Sequence, residues 1–262
     1  MSHFANKVIW VTGATSGIGE ALAIALSEKG AKLVLSARRT EELERVKSIC
    51  KGDVLIQPLD LTKMEEFGDL TQKVINHYNK IDILINNGGI SQRSEAFETS
   101  LDIDRKIMEV NYFGNIALTK AVLPFMQKQQ QGHIVTISSL SGKFGFFLRS
   151  AYAASKFALV GFYESLRLEE EKNNLKVSLV FPGLIRTNIS QNALSKDGKV
   201  HAALDKKQDK GISPEKCAEQ IIKGIEKEKL EIFAGAGELK AVTIKRLLPK
   251  LFHKLIRKQS AT

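Results

Sequence analysis

Cysteine is scarce in this sequence, with two residues in 262, Cys50 and Cys217. Two cysteines are too few for a disulfide framework and are not spaced as metal ligands, so we expect free thiols, a reducing compartment and no metal site. Long apolar runs are absent, because no stretch approaches the roughly 18 apolar residues of a membrane-spanning helix. The first apolar run already begins at Lys7, which leaves no room for a secretory signal peptide. These absences predict a cytoplasmic protein that does not span a membrane.

Repeats, low-complexity tracts and linkers rich in proline and glycine are absent too. The composition, 43% hydrophobic and 26% charged, is that of an ordinary globular protein with room for one large core. We therefore expect a single domain over residues 1–237, followed by a short extension, 238–262, that its charge sets apart.

Acidic residues are missing from the segment 239–262, which carries seven lysines and arginines. Of the formal net charge of +10, these seven account for most, and the rest of the chain has only +3. The basic character belongs to the C-terminal segment and not to the body of the protein. The sequence therefore gives no support for nucleic-acid binding by the body.

Seven short apolar runs alternate with helical patterns along the chain. The runs span residues 7–13, 32–37, 53–59, 81–87, 132–138, 176–183 and 230–235. Strands that alternate with helices in this way form a parallel sheet covered on both faces. The fold class predicted is α/β, a doubly wound seven-stranded parallel sheet of the Rossmann type with a C-terminal helical extension. The polar segment 187–211 is long enough to serve as a substrate lid.

Three glycines, Gly13, Gly17 and Gly19, follow the first predicted strand and open a helix. Glycines at such a turn let a pyrophosphate approach the free N–H groups of the helix N-terminus. The spacing GxxxGxG differs from the commoner GxGxxG, and a purely structural glycine turn is the alternative. The strand-to-helix context favours nucleotide binding.

The second strand ends in "LVLSARR", which places Ala37, Arg38 and Arg39 where NAD-binding folds have an acidic residue for the ribose. A guanidinium binds a 2′-phosphate through forked charged hydrogen bonds, whereas an acid repels it. The pattern favours NADP(H) over NAD(H). The alternative is an ordinary solvated arginine pair before a helix.

Tyr152 and Lys156 stand one helical turn apart in "AYAASKFALVGF". Residues at i and i+4 share a helical face, so the phenol and the ammonium would project side by side. An ammonium stabilises the ionised phenol and makes proton exchange with a carbonyl or alcohol easier. Alone, the pair is better explained by an ordinary interfacial tyrosine and a solvated lysine, so the rest of the chain must decide.

Further motifs appear in order along the chain. They are Thr12 with the three glycines, Asp60 in "PLDLT", "NNGG" at 86–89, Asn111, Ser139, the Tyr152/Lys156 pair, and "PGLIRT" at 182–187. In this order and at these separations they resemble the short-chain dehydrogenase/reductase family, and the resemblance covers about residues 7–235. The wording "NNGGISQRS" is further similar to a subgroup around dehydrogenase/reductase member 7, with steroid- and retinoid-handling relatives.

The resemblance implies an oxidoreductase that transfers a hydride between the nicotinamide of NADP(H) and a substrate carbonyl or alcohol. It implies that Tyr152 is the acid/base and that Lys156 lowers its pKa and binds the nicotinamide ribose. Ser139, which stands thirteen residues before Tyr152 as is usual in the family, would polarise the substrate oxygen. Asn111 would break its helix and hold a water linked to Lys156.

The cofactor-binding residues that the resemblance implies extend from the glycine turn to the last motif, with Asp60 bordering the adenine. They are Gly13, Thr15, Ser16, Gly17, Ile18, Gly19, Arg38, Arg39, Asp60, Leu61, Asn87, Gly88, Tyr152, Lys156, Pro182, Gly183 and Thr187. Two positions depart from the family pattern. Gly88 replaces the usual alanine, and no basic residue lies between Gly13 and Gly17 to assist a 2′-phosphate.

The substrate is expected to be a small hydrophobic ketone, aldehyde or secondary alcohol, because apolar residues edge the predicted pocket. They are Phe144, Phe146, Phe147, Leu148, Phe181, Leu184 and Ile185. Some of these side chains would instead belong to the core or to subunit contacts. Two other functions stay open, an alcohol dehydrogenase that acts oxidatively and a non-catalytic nucleotide-binding or membrane-associated scaffold.

Assembly and the C-terminal segment complete the expectations. The resemblance implies a homodimer or homotetramer in which the helices 101–129 and 150–172 pair with their symmetry mates. Beyond the last strand, apolar residues draw a stripe along a basic helix that Pro249 should kink or divide. The stripe packs on the protein itself or a neighbouring subunit, or else residues 240–258 make peripheral contact with an anionic membrane.

Overall fold

A computed structural model of the protein describes residues 2–199 and 210–259. Its strands are β1 (Val8–Thr12), β2 (Lys32–Ser36), β3 (Val54–Ile56), β4 (Ile83–Asn86), β5 (Gly132–Ile137), β6 (Leu175–Pro182) and β7 (Glu231–Ala234). They form one seven-stranded parallel sheet in the order β3-β2-β1-β4-β5-β6-β7. Each predicted apolar run contributes one strand, so the expected doubly wound α/β fold is confirmed.

Helices cover both faces of this sheet. They are α1 (Gly17–Glu28), α2 (Thr40–Ile49), α3 (Phe67–Tyr78), α4 (Leu101–Met108), α5 (Gly114–Gln129), α6 (Ser150–Glu170), α7 (Pro214–Glu226), α8 (Lys240–Leu247) and α9 (Pro249–Ile256). The last two follow β7, and Pro249 begins α9, so the proline divides the C-terminal segment into two helices.

The central strand β1 has a hydrophobic core on each side. Ile9 belongs to a buried cluster with Leu22 of α1, whereas the next residue, Trp10, belongs to a second cluster with Leu159 of α6. Successive side chains of a strand point to opposite faces, so an unbroken apolar run is what two covered faces require. The sheet is therefore held rigidly from both sides.

The strand order changes direction between β1 and β4. The chain leaves β1 for β2 on one side of the sheet and returns after β3 to β4 on the other side. At such a switch point the loops that follow the two strands diverge and leave a crevice beyond their carboxyl ends. Thr12 ends β1 and Asn86 ends β4, so the glycine turn and "NNGG" both border this crevice.

The long helix predicted over 101–129 contains an interruption. α4 and α5 are joined by a π-helical turn, Glu109–Phe113, with the buried Asn111 in its middle. A π turn leaves backbone carbonyls without their usual i+4 partner, and such turns are frequent at functional sites. The interruption is therefore located at the residue that the sequence analysis had singled out.

The predicted lid, 187–211, is described only in part. Leu194 pairs with the loop after β4, since its N–H donates to Ser91 O at 2.8 Å and its carbonyl accepts from Arg93 N at 2.7 Å. Residues 200–209 lie outside the described residues. Within the described ranges no helix is long and apolar enough to cross a membrane.

Candidate active site

The glycine turn after β1 has the backbone shape that the sequence suggests. Gly13 and Gly17 have φ values of 63° and 57°, in the left-handed region that side chains disfavour. A Cβ on Gly19 would lie 2.2 Å from Gly13 O, so a larger residue cannot follow the turn. A Cβ on Gly17 would touch the methyl of Thr187 at 2.9 Å, which places the predicted residue Thr187 over the turn.

Thr12 ties this turn to the loop after β4. Its hydroxyl accepts hydrogen bonds from the backbone N–H groups of Asn87 and Gly88 at 3.0 and 2.9 Å. A Cβ on Gly88 would lie 2.7 Å from the Cδ1 of Leu61, so Leu61 fills the space that the family's alanine methyl would use. The side chain of Leu61 thus fills the space left by the missing methyl group at Gly88.

A cavity of about 300 Å³ opens beside the glycine turn. Its lining includes Thr15 and Ser16 of the turn and three arginines from different segments, Arg39, Arg45 and Arg186. Glu20 and Glu42 also line the cavity and are paired with Arg45, so Arg39 and Arg186 are the cations that suit it to an anionic ligand. The turn itself lacks a basic residue, and the structure supplies cations from elsewhere in the chain.

Arg45 is a residue that the sequence analysis missed. It lies on α2, and its guanidinium donates to Thr15 O at 3.2 Å. Its charge is paired with Glu20 at 2.7 Å and Glu42 at 2.8 Å, so it braces the glycine turn as well as lining the cavity. No spacing rule links α2 to the turn in the sequence, and only the fold brings them together.

Asp60 and Arg38 occupy the neighbouring edge. Partial burial raises the pKa of Asp60, but hydrogen bonds from the Thr62 N–H and hydroxyl, with the positive charges of Arg38 and Lys63, bring it below its usual value. Both bonds from Thr62 end on the same carboxylate oxygen, at 3.0 and 2.9 Å. The ionised Asp60 is therefore fixed in place, while Arg38 is exposed.

Tyr152 begins α6 close to the end of β5. Burial raises the pKa of its phenol, while a hydrogen bond with Ser139 and the positive charge of Arg149 lower it in part. Arg149 is itself held by Ser91 Oγ and Gln92 O. Arg149 was not among the predicted site residues, although its position three residues before Tyr152 was a usable signal.

Ser139 rather than its neighbour faces the site. Ser138 is buried and donates its hydroxyl to Lys156 O at 3.1 Å, so it is committed to holding α6 on β5. Ser139 is partly exposed, and its hydroxyl accepts from Ser141 N at 3.1 Å. A hydroxyl that accepts one bond keeps its proton for another partner. Ser139 therefore has a donor left for a substrate oxygen, whereas the proton of Ser138 is already used.

Lys156 is buried beneath Tyr152. Its ammonium donates to Ile137 O at 2.8 Å and lies 5.7 Å from the centroid of the Tyr152 ring. Burial lowers the pKa of Lys156 to about 8. The ammonium is therefore anchored at the end of β5, and the charge that acts on the phenol here comes from Arg149.

Asn111 links the π turn to the loop after β4. Its side-chain oxygen accepts from Ile90 N at 2.8 Å, and its amide donates to Ile90 O at 2.9 Å and to Ser155 Oγ at 3.0 Å. The side chain is thus fully engaged in joining three segments. A Cβ on Gly89 would come within 3.0 Å of Asn111 Oδ1 and 3.8 Å of Lys156 Nζ, so all three residues lie together.

Asn115 is a second residue that the sequence analysis missed. Its buried side-chain amide donates to Asn111 O at 2.7 Å and to Gly88 O and Val110 O at 3.3 Å. The amide thus ties the π turn to the loop after β4. A signal was present, because residues four apart share a helical face.

An apolar cluster borders Tyr152 from the side of α4. Buried Ile103, Ile107 and Ala151 pack there with Ile90 and Leu194. Three of the apolar residues predicted to edge the pocket are instead buried in the core clusters, namely Phe144, Phe181 and Ile185. Core packing was the alternative expected for some of these side chains. Phe147 and Leu184 are exposed.

The segment after β6 closes the crevice. Pro182 ends the strand, and Gly183 N donates to Ala234 O at 2.8 Å, so the "PG" turn is fixed by β7. Among the described residues, no cluster of three or more histidine, cysteine, aspartate or glutamate side chains could hold a metal ion. The predicted residues therefore meet around one crevice made of backbone amides, hydroxyls and cations.

This arrangement is that of a Rossmann-type nucleotide-binding oxidoreductase. Residues 7–198 match the family described as short chain dehydrogenase, and the chain belongs to that family. Membership carries a nucleotide cofactor and a small-molecule substrate.

Among curated proteins, the chain is similar to a Dehydrogenase/reductase SDR family protein 7-like of Drosophila melanogaster, at 44% identity over 263 residues. The match covers 97% of this chain and 81% of the relative, and it confirms the subgroup resemblance. A short-chain dehydrogenase from Streptomyces avermitilis has a similar crystal structure, with a TM-score of 0.82, 31% identity and coverage of 98% and 99% of the two chains. A Burkholderia phymatum relative solved with NAD shares the fold alone, at 21% identity, TM-score 0.81 and coverage of 100% and 98%.

Proposed function

We propose that the protein is an NADP(H)-dependent oxidoreductase that reduces a hydrophobic ketone or aldehyde to the alcohol. One observation carries the proposal. Tyr152 at the start of α6 is hydrogen-bonded to Ser139 just beyond β5, and burial raises the pKa of its phenol, so a protonated donor stands beside a second hydroxyl. This pair is what a carbonyl oxygen needs when it becomes an alkoxide.

The residues of the crevice fit the cofactor. The glycine turn offers N–H groups at the start of α1 for a pyrophosphate, and Arg38 and Arg39 offer guanidinium groups for a 2′-phosphate. Asp60 and Leu61 would border the adenine, and the turn from Pro182 would border the nicotinamide. When bound, NADPH supplies the hydride that the carbonyl carbon receives.

The NADP(H) preference depends on the arginines and not on the fold. The neighbour solved with NAD has the same fold, and the fold alone does not select between the two cofactors. In this chain, Ala37 holds the position of the acid that would repel a 2′-phosphate. Arg39 lies in the cavity next to Ser16, which is where a negatively charged group would meet it.

Four residues carry the chemistry in this proposal. Ser139 donates to the substrate oxygen and Tyr152 gives it a proton. Lys156 would hold the ribose hydroxyls with its ammonium, and the positive charge of Arg149, which lowers the pKa of the phenol, would stabilise the tyrosinate that remains. Asn111 keeps the loop at Ile90 and the π turn in register beside Lys156, where a bound water would resupply protons to Lys156 from solvent.

A hydrophobic substrate is favoured by the cluster beside Tyr152. Ile90 and Leu194 are the partly buried members of this cluster, and an apolar wall built from them would give binding energy to an alkyl or ring group through exclusion of water. Leu194 belongs to the lid and pairs with the loop after β4, so the segment 187–211 would cover the substrate from this side.

Two alternatives are separated by one experiment. An enzyme that works oxidatively would turn over secondary alcohols with NADP⁺ faster than ketones with NADPH, and a scaffold would bind the cofactor and turn over neither. A panel of apolar ketones, aldehydes and alcohols, assayed in both directions at equal pH, distinguishes the three. We expect NADPH consumption with at least one apolar carbonyl.

The proposal includes a cytoplasmic homodimer or homotetramer built on domain 1–237. Exposed apolar side chains on α6, Phe157 and Leu168, share a face with Gly161, where a Cβ would meet open space. Such a face, together with the exposed Phe113 beside α5, suits packing against a symmetry mate. Both cysteines are free thiols, which agrees with a reducing compartment.

A further inference from the structure

The C-terminal helices are seated next to the candidate site. Glu238, just before α8, accepts a hydrogen bond from Leu184 N at 2.9 Å. The ring of Phe252 on α9 meets the ring of Phe144 edge-on, with centroids 5.1 Å apart. Leu184 follows the "PG" turn and Phe144 lies between Ser139 and Tyr152, so the extension touches two segments that border the crevice.

One part of the apolar stripe of these helices packs on the protein, and the other part is exposed to solvent. Phe252 and Ile256 pack against the core cluster that contains Trp10, so part of the stripe is used within the protein. Four leucines remain largely exposed, and we call them the leucine face. They are Leu247 (68% exposed), Leu248 (54%), Leu251 (43%) and Leu255 (43%). Four neighbouring leucines in water form the kind of patch that marks an interaction surface.

Cations surround the leucine face. The exposed basic residues of the two helices are Arg246, Lys250, Lys254, Arg257 and Lys258. No acid follows Glu238 in the sequence, and the Glu238 carboxylate is engaged with the backbone of Leu184 and Ala236. The surface around the leucines is therefore strongly positive as well as apolar.

We propose that the leucine face docks on an anionic lipid membrane. Burying the leucines at the boundary of the acyl chains removes apolar surface from water, and the surrounding cations are attracted to lipid phosphates. An anionic membrane therefore accounts for both the apolar and the basic character of this surface. A second copy is a poorer partner, because a symmetric pairing of this face would set like charges opposite each other. The inference goes beyond the proposed function, since it concerns where the protein binds and not what it reduces.

The test is co-sedimentation of the full chain with vesicles of phosphatidylcholine alone and of phosphatidylcholine with phosphatidylserine. We expect at least about tenfold stronger partitioning to the anionic vesicles, weakened by added salt. Leu251→Glu with Leu255→Glu should abolish it, and Lys250→Gln with Lys254→Gln should weaken it. Phe97→Glu with Leu101→Glu is the matched control, because these apolar residues are 99% and 67% exposed on a different segment and should bind like the wild type.

Three results would overturn the proposal. They are no binding of the wild type to anionic vesicles at low salt, equal binding by the leucine variant, and loss of self-association rather than of vesicle binding in that variant. Unchanged thermal melting of the variants shows that they are folded. NADPH binding, measured in the same samples without vesicles, reports separately on the proposed function.

Discussion

The side-chain amide of Asn115 donates a hydrogen bond to the carbonyl oxygen of Asn111 at 2.7 Å. The bond spans one turn of helix and links α5 to Asn111 in the middle of the π-helical turn Glu109–Phe113. Asn111 in turn holds the loop at Ile90 from both sides of its amide. Asn115 is therefore a positioning residue for the segment on which the proposed proton path depends.

Replacing Asn115 by leucine should lower kcat about tenfold, since one buried hydrogen bond of roughly 1–1.5 kcal/mol no longer holds the turn. The pH profile of kcat should shift as well, because the path for protons is disturbed. Tyr163→Phe is the control, since the Tyr163 hydroxyl bonds to Asn86, Thr119 and the backbone carbonyl of Asn115 in the same buried region but not to the Asn115 side-chain amide. It should reduce stability but leave the profile unchanged, and an equal change in both variants would assign Asn115 a structural role only.

Arg38 and Arg39 should set the cofactor preference. A charged hydrogen-bonded group contributes about 1.5–3 kcal/mol, so NADPH should bind about 10- to 150-fold more tightly than NADH. Arg38→Ala should remove most of this difference, and the double variant with Arg39→Ala should abolish it. Titration calorimetry with both cofactors measures it. Arg105→Ala, at an exposed arginine that pairs along its own helix with Asp102, serves as the control.

Equal affinity of the unmodified protein for NADPH and NADH would contradict this assignment. A preference that survives the double variant would instead point to Arg45 or Arg186, which line the same cavity.

The sequence was sufficient for the strands and for the order of the motifs. A run such as Ile9 to Val11 is buried on both faces of the sheet, and its unbroken apolar sequence is sufficient to predict this burial. The residues that support the site from distant parts of the sequence could not be predicted in the same way. Arg45 reaches Thr15 across 30 residues, and Leu61 fills the space beside Gly88, because the fold brings distant segments together.

The aromatic residues show the same limit. Phe144 and Phe147 lie three residues apart in one apolar stretch, yet one is 9% and the other 45% exposed. What separates them is the C-terminal helix, whose Phe252 covers Phe144. Composition predicted an apolar surface near Ser139. The packing of α9 determines which of these aromatic side chains stay exposed on that surface.

Cofactor binding should weaken as the pH rises through about 8. Burial lowers the pKa of Lys156 from 10.5 to about 8, so the free protein loses this ammonium above that pH. Because ribose hydroxyls bind the charged form, NADPH affinity should fall by up to tenfold per pH unit beyond 8. Lys156→Met should bind more weakly and show a flat profile. A wild-type affinity that stays constant from pH 7 to about 10 would contradict the role of Lys156.

The assembly should depend on the exposed face of α6. Light scattering at micromolar concentration should give the mass of a dimer or tetramer for the wild type. Gly161→Arg with Leu168→Glu should yield smaller species, because a long charged side chain would occupy the open space at Gly161. The change Phe97→Glu, on the loop before α4, should leave the mass unaltered. A monomeric wild type would refute the pairing.

In the proposed reaction, Tyr152 gives its proton to a carbonyl oxygen. The most direct measurement compares NADPH oxidation by the wild type and by Tyr152→Phe, with an apolar ketone or aldehyde at neutral pH and with NADPH binding followed in parallel. The account predicts turnover by the wild type and a loss of at least about 10²- to 10⁴-fold in the variant, with NADPH still bound, because only the transferable proton is removed. Equal turnover by the two proteins would contradict it.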